Sequence, residues 1–398
     1  MFSLLVAIIY LAFISLGLPD SLLGSAWPVM HLDIGASVSS AGIISMTISV
    51  CTIISALFSD KLVKKLGTGV VTAISVFLTA SAMTAFSFSN AFWQLCLFAV
   101  SYGLGAGAID SCLNNYVAMN LSSRHMSWLH CCWGIGATLS PYIMSYALSG
   151  ESSWHGGYRI TSAIQFILAF VMFMAIPLWK KNAKNISENN ENGEAVSLSF
   201  KQIFRLPGVI QMFAGFFFYC TLEVIPIVWA STYFSQVYTL SSEKAASFAS
   251  LFYIGMTVSR AGCGFIADRL TDKQLIRYGS VLVAASALLI AVPFGSYLPS
   301  VIGFILLGIG CGPVYPSIVH STPDNFGRKY SGSVIGVQMA FAYLGMTCSP
   351  ILFGKFAELT TIKILPFCIL VFSILVLIFT EWMNKKVGMT NNINVKEI

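Results

Sequence analysis

Charge is scarce in this sequence: 22 Lys and Arg and 16 Asp and Glu make up 10% of its 398 residues, against 56% hydrophobic residues. With a mean hydropathy of +0.79, the chain cannot hide its apolar surface in one water-soluble core, which excludes a soluble globular domain. The ten cysteines show no metal-ligand or disulfide-framework spacing. Cys131 and Cys132 are adjacent, and all ten lie within or beside apolar stretches, where they read as small packing residues. No nucleophile-base set, metal cluster or nucleotide loop survives inspection, so neither enzymatic activity nor a cofactor is expected. "GLGAG" at 103–107 lacks the preceding strand that a phosphate loop needs, and reads as small residues that let helices approach and bend.

What the sequence has in abundance is long apolar runs. They cover 3–30, 37–58, 68–88, 91–119, 127–148, 158–179, 207–234, 243–266, 275–293, 297–321, 331–354 and 362–382. Each is long enough to cross about 30 Å of hydrocarbon as a helix. Strands of a membrane barrel alternate with period two over about ten residues, and these runs are longer and uniformly apolar. The first run has no basic leader or cleavage site, so it reads as helix 1 and not as a removed signal peptide.

Lys61, Lys64, Lys65, Arg124, Lys180, Lys181, Lys184, Lys201, Arg205, Arg269, Lys273, Arg277, Arg328, Lys329, Lys385, Lys386 and Lys396 fall in the even-numbered loops and the C-terminal tail. The opposite side has Arg159, Lys244, Lys355 and Lys363, and Arg260 lies inside the eighth run. Seventeen basic residues against four place both termini in the cytoplasm of a cell-membrane protein. The net charge of +6 is therefore a topology signal, and no nucleic-acid partner is expected. The sequons at Asn120 and Asn185 fall on the cytoplasmic side, where no glycosylation is expected.

The polar stretch from Asn182 to Lys201 reads as a flexible linker. On either side of it the sequence repeats: "FSDKL" (58–62) echoes "IADRL" (266–270), "GLGAG" (103–107) echoes "GIGCG" (308–312), and "GATLSPYI" (136–143) echoes "GMTCSPIL" (345–352). Three matches in the same order imply a duplicated six-helix unit. The expected organisation is an all-α membrane protein of 12 transmembrane helices in two pseudosymmetric six-helix bundles, 1–181 and 205–384, joined by 182–204 and followed by a tail, 385–398. Six-plus-six parallel repeats are a transporter architecture, and over essentially its whole length the chain resembles the major facilitator superfamily. The resemblance extends to that superfamily's gating motif, an acid at the end of helix 2 or 8 followed by basic residues: Asp60 with Lys61, Lys64 and Lys65, and Asp268 with Arg269. The second copy keeps the usual glycine, Gly264, where the first has Ala56.

Only Asp20, Asp110 and Glu223 lie deep within apolar runs. A carboxylate at the centre of a membrane helix costs about 2.5–3.5 kcal/mol on insertion scales, so such groups usually face a cavity and serve a pathway. Asp110 and Asn114 are one helical turn apart and share a face that is expected to meet water, while Asn115 turns about 100° away. Asp20 follows Pro19, whose missing N–H frees backbone carbonyls suited to cation or proton handling. Glu223 occupies nearly the equivalent place in helix 7, with Trp229 roughly matching Trp27. All three acids are candidate coupling groups, although Glu223 has the simpler alternative of bonding a neighbouring helix. Asn114, Asn115 and His130 are candidate ligands for hydroxyl groups. Trp27, Trp133, Trp229, Tyr116 and Tyr315 could stack on a sugar ring or simply pack. His31, His125, His155 and His320, like Arg124, read as loop or interfacial residues.

Within the superfamily, "GLGAGAIDSCLNNYV" followed by "WLHCCWGIGATLSP" resembles the fucose permease branch of sugar:cation symporters. The resemblance implies ion coupling at Asp20 and Asp110 and sugar hydrogen bonding at Asn114 and His130. The chain departs from the branch in having Asp110 where Glu is familiar, Asn115 where Pro is common, and His130 in place of an amide. The expected function is alternating-access import of a sugar or polyol with a proton, by a monomer in the bilayer. Drug/proton antiport, sodium-coupled sugar transport and non-transporting ligand sensing remain as alternatives.

Overall fold

In a computed structural model, which describes residues 2–37, 40–150, 153–189, 196–267, 269–292 and 295–396, no strand occurs among the described residues. Helix α1 runs in two pieces, Phe2–Asp20 and Leu22–Asp33. It is followed by α2 (Ala41–Leu66), α3 (Thr68–Ser87), α4 (Phe92–Asn120), α5 (Ser123–Ser149) and α6 (Ser153–Asn189). The second half holds α7 (Val209–Tyr238), α8 (Ser242–Ile266), α9 (Asp272–Ala291), α10 (Leu298–His320), α11 (Ser331–Leu359) and α12 (Leu365–Lys396). These twelve paths coincide with the twelve apolar runs. Ten are long and apolar enough by composition to cross a membrane. The other two, α5 and α8, span 27 and 25 residues and are less apolar, α5 being rich in Ser, Gly and Trp and α8 carrying Arg260.

Several helices outrun their apolar cores. Helix α2 continues to Leu66, so the Asp60–Lys65 motif forms its last two turns and not a loop. Gly67, at φ +83°, then reverses the chain into α3 in a backbone conformation that favours glycine. The linker expected from residue 182 is helical as far as Asn189, and the tail expected from 385 continues α12 to Lys396. Neither segment contains a proline to stop the helix. Helix α9 starts where sequence chemistry says it should: Thr271 Oγ1 accepts from Gln274 N at 3.3 Å, and Gln274 Oε1 accepts from Thr271 N at 2.9 Å, a capping box.

The chain divides into two compact units, Met1–Tyr116 with Leu129–Ser197, and Val117–Trp128 with Leu198–Ile398. The segment 117–128, read from the sequence as part of the first bundle, groups with the second unit because its polar atoms are satisfied there. Ser123 Oγ donates to Asp272 Oδ1 at 2.6 Å, His320 Nε2 to the Leu121 carbonyl at 3.1 Å, and Trp128 Nε1 to the Ala261 carbonyl at 3.3 Å. Arg328 also donates to the Met119 carbonyl.

Two of the three sequence repeats mark three repeated helix contacts. A Cβ added to Gly103 or Gly107 of α4 would lie 2.3 or 2.1 Å from the Ile48 or Thr52 carbonyl oxygen of α2. One on Gly105, between them, would lie 2.7 Å from the Ser75 oxygen of α3. In the second unit a Cβ on Gly308 or Gly312 of α10 would meet α8, 2.1 Å from Phe252 O and 2.5 Å from Ser259 Oγ. Gly310 meets α9 in the same way, 2.9 Å from Gly279 O. The third repeat pairs Gly136 of α5 with α1 (2.3 Å from Ile14 O) and Gly345 of α11 with α7 (2.9 Å from Phe217 O). Backbones approach this closely only where no side chain intervenes. The outward faces carry the opposite composition. On α2, Ile43, Met46, Val50, Ile54 and Phe58 recur every three or four residues and are all exposed on the protein surface, as a lipid-facing stripe requires.

Gly107→Val is expected to lower the thermal midpoint of the purified protein by several degrees, on the order of 1–3 kcal/mol of overpacking. Gly262→Ala on α8, where nothing lies within 4 Å of the added Cβ, should leave it unchanged. Fluorescence-monitored melting in detergent distinguishes the two, and equal midpoints would contradict the role given to the glycine repeats.

Candidate functional site

The first polar cluster is built by α1, α4 and α5 within the first unit. Pro19 has no N–H to give to the helix ladder, and α1 breaks at Ser21, leaving Asp20 as the last residue of its first piece. Asp20 is exposed. It accepts one hydrogen bond from the Tyr102 hydroxyl of α4 and another, at 2.7 Å, from Trp133 Nε1 of α5. Close helix contact brings that indole into reach, since a Cβ on Gly17 would lie 2.1 Å from the Trp133 carbonyl oxygen. Both donors are neutral, so the charge of Asp20 is solvated by dipoles and not cancelled by a cation.

The second cluster lies on the same helices. Asn114 Nδ2 donates to Asp110 Oδ1 at 2.8 Å and to the Asp110 carbonyl at 3.0 Å, and its Oδ1 accepts from His130 Nε2 at 3.1 Å. The i, i+4 spacing read from the sequence thus becomes an unbroken acid–amide–imidazole line across α4 and α5. Phe13 of α1 closes one side, edge-on to the His130 ring at 5.5 Å between centroids. One expectation is corrected here. Asp110 and Asn114 do not face water, because Asp110, Asn114 and His130 are 4%, 0% and 6% exposed. The amide and the imidazole supply what water was expected to supply. Asn115, turned away from this line, is half-buried.

In the second unit Glu223 of α7 and Arg260 of α8 form an ion pair, Arg260 Nη2 donating to Glu223 Oε1 at 2.8 Å, with both side chains less than a tenth exposed. The simpler alternative considered for Glu223, a bond to a neighbouring helix, is what the structure contains. Sequence reasoning placed Arg260 inside the eighth run without a partner. The available signal was that a lone basic residue and a lone acid in adjacent membrane helices are each other's obvious counter-ion. Near the pair, Tyr219 donates to the Cys311 carbonyl at 2.8 Å, and Tyr315 donates to Met339 Sδ at 3.4 Å.

A profile of the Major Facilitator Superfamily matches residues 9–350. The chain belongs to the major facilitator superfamily. It is 26% identical over 340 residues to bypass of stop codon protein 6 of Saccharomyces cerevisiae, spanning 77% of this chain and 66%, just under two thirds, of that protein. It is 21% identical over 297 residues to the glucose/mannose transporter GlcP of Bacillus subtilis, covering 71% of this chain and 70% of the relative. The crystal structure of a point variant of the E. coli fucose:proton symporter FucP superposes with a TM-score of 0.72 over 95% of this chain and 98% of that one, at 17% identity. The fold is that of the superfamily, and the protein is a multi-pass membrane transporter, not an enzyme.

In the first unit the residues expected to form a gating motif have these contacts. Asp60 Oδ2 lies 3.1 Å from Lys64 Nζ and accepts from Ser197 Oγ at 2.7 Å, while Lys61 sits over the Phe58 ring. In the second copy Asp268 lies outside the described residues and Arg269 is exposed. Four residues on, among the described residues, Asp272 Oδ2 lies 2.6 Å from His320 Nδ1. His320 is therefore no idle interfacial residue: its two nitrogens face a carboxylate and the Leu121 carbonyl. Of the aromatics, Trp133 joins the Asp20 cluster, and Tyr315 lies 4.8 Å from Phe216 between ring centroids. The others pack elsewhere: Trp229 donates to the Pro350 carbonyl at 3.1 Å, Tyr116 is edge-on to Trp179 at 4.8 Å, and Trp27 is buried 6.0 Å from the His31 ring.

Breaking the buried pair by Arg260→Leu is expected to destabilise the protein by about 3–5 kcal/mol, since it strands Glu223. Adding Glu223→Leu should recover most of that loss. A double-mutant cycle on thermal midpoints measures the coupling, and simple additivity of the two losses would refute a direct pair.

Proposed function

We propose that this superfamily member imports a neutral sugar or polyol together with a proton, alternating between inward-open and outward-open states with both termini in the cytoplasm. The observation that carries this reading is the Asp110–Asn114–His130 line, with the exposed Asp20 on the same helices. A neutral acid lowers the cost of closing the site around its cargo. With Asp110 charged, Asn114 Nδ2 is committed to it, as the 2.8 Å bond records. Protonation of Asp110 weakens that bond and frees amide and imidazole groups that both donate and accept, as hydroxyls demand.

Coupling is assigned to Asp20 and Asp110, and not to Glu223, because a proton on Glu223 would leave a buried guanidinium unpaired. The sugar assignment is supported by the names of two similar proteins, a glucose/mannose transporter and a fucose:proton symporter. It is also supported by the branch resemblance of the α4–α5 sequence. Asn114 and His130 are the proposed sugar ligands, with Trp133 as the adjoining aromatic surface.

Proteoliposomes with an inward proton gradient and a radiolabelled panel of glucose, mannose and fucose test this reading. Wild type should accumulate at least one sugar. Asp110→Asn should lose accumulation at least tenfold while keeping part of the sugar exchange at equal concentrations. Full accumulation by Asp110→Asn removes Asp110 from the coupling site. A sodium requirement moves the coupling ion to Na+, dye efflux replaces import with drug antiport, and binding without flux makes the protein a sensor.

A further inference from the structure

The pairing of Glu223 and Arg260 uses half of what the two groups offer. A guanidinium presents Nε–H and an Nη–H side by side, and a carboxylate commonly takes both with its two oxygens. Here the single bond joins Nη2 to Oε1 at 2.8 Å. Glu223 Oε2 and Arg260 Nε are both buried without a hydrogen-bond partner, on residues only 5% and 4% exposed. An unmade bond to a buried charged group is costly, and buried polar atoms in native proteins are nearly always paired. The unpaired donor and the unpaired acceptor belong to two residues already held together, so one small group can meet both.

The chemistry of that group is tightly limited. It must accept from Nε–H and donate to Oε2. A carboxylate cannot donate, and both carboxylate and phosphate anions are repelled by Glu223, while an ammonium cannot accept and is repelled by Arg260. A hydroxyl does both and carries no charge. Phe216, Tyr219 and Glu223 are spaced by three and four residues and therefore share one face of α7. Tyr315 of α10 lies 4.8 Å from Phe216 and 6.2 Å from Tyr219 between ring centroids, so the pair stands beside aromatic surface of the kind that packs against a sugar ring.

We propose that Glu223 and Arg260 form a hydroxyl-binding subsite in the second unit, at which one hydroxyl of a neutral sugar or polyol bridges Arg260 Nε–H and Glu223 Oε2. This rests on the sugar reading above and adds to it a hydroxyl subsite within the second unit that rejects sugar acids, amino sugars and lipophilic cations. Glu223 then serves specificity, not proton coupling.

The test is equilibrium binding of radiolabelled glucose, mannose and fucose to purified protein, followed on wild type by the monodeoxy analogues of whichever sugar binds. One deoxy analogue should bind about 10- to 100-fold more weakly, the loss expected for one hydrogen bond to charged groups. Arg260→Lys keeps a cation for Glu223 but removes Nε–H. It should weaken the parent sugar by a similar factor and abolish its preference over that analogue, with the thermal midpoint retained. A parent-sugar affinity unchanged in Arg260→Lys means that water, and not cargo, fills this role, and overturns the subsite while leaving sugar transport standing. So does a wild type with no tenfold deoxy position, a result that needs no variant to fold. If wild type binds none of the sugars, the sugar reading fails and the subsite falls with it.

Discussion

A charged or amide side chain buried among apolar membrane helices has little water to turn to, so its partners must be other polar groups, on its own helix or on a neighbouring one. Much of the architecture follows from that constraint. Three acids lie deep in the spans and each is partnered differently. Asp20 stays exposed and is held by two neutral donors, Tyr102 and Trp133. Asp110 is buried and completed by an amide that is itself completed by an imidazole. Glu223 is buried against a cation. Each solution draws on at least one further helix, so the polar clusters help fix which helices touch.

Small residues make those contacts short. Gly17 and Gly136 bring α1 and α5 to backbone contact, and the indole of Trp133 thereby reaches the acid at the break in α1. The same logic, repeated on α4 against α2 and on α10 against α8, explains why "GLGAG" and "GIGCG" outlasted the divergence of the two halves. A side chain can be exchanged for another, whereas a backbone-to-backbone contact admits only glycine.

Much of this was legible in the sequence, and the remainder was hidden for identifiable reasons. Apolar run length gave the twelve helices directly, and the i, i+4 spacing of Asp110 and Asn114 gave the start of the buried line. The helical end of α2 was missed because Asp60–Lys65 is polar, yet polar residues continue a helix as long as no proline or glycine intervenes. The burial of Asp110 was also missed. Sequence reasoning assigned water as its partner, since a one-dimensional reading sees i, i+4 neighbours but not His130 arriving on α5. Tyr102 was overlooked and Arg260 was left without a partner for the same reason, because a tyrosine or arginine in a span acquires meaning only from what faces it. His320 was set aside as interfacial, although α10 ends where its ring can meet both Asp272 and the Leu121 carbonyl.

The two halves have diverged most informatively at their matching acids. By sequence position Asp20 and Glu223 fall at nearly equivalent places in their apolar runs, but their partners give them opposite properties. When Asp20 gains a proton, its tyrosine and tryptophan neighbours lose some hydrogen-bond strength and nothing is left charged. When Glu223 gains one, Arg260 is left as an unpaired cation in a buried site, a penalty of several kcal/mol. An acid among neutral donors can change its charge cheaply, and an acid bound to a guanidinium cannot. Under the proposed function, duplication thus supplied two carboxylates, and one added arginine was enough to separate a group that titrates from a group that stays charged and reads cargo.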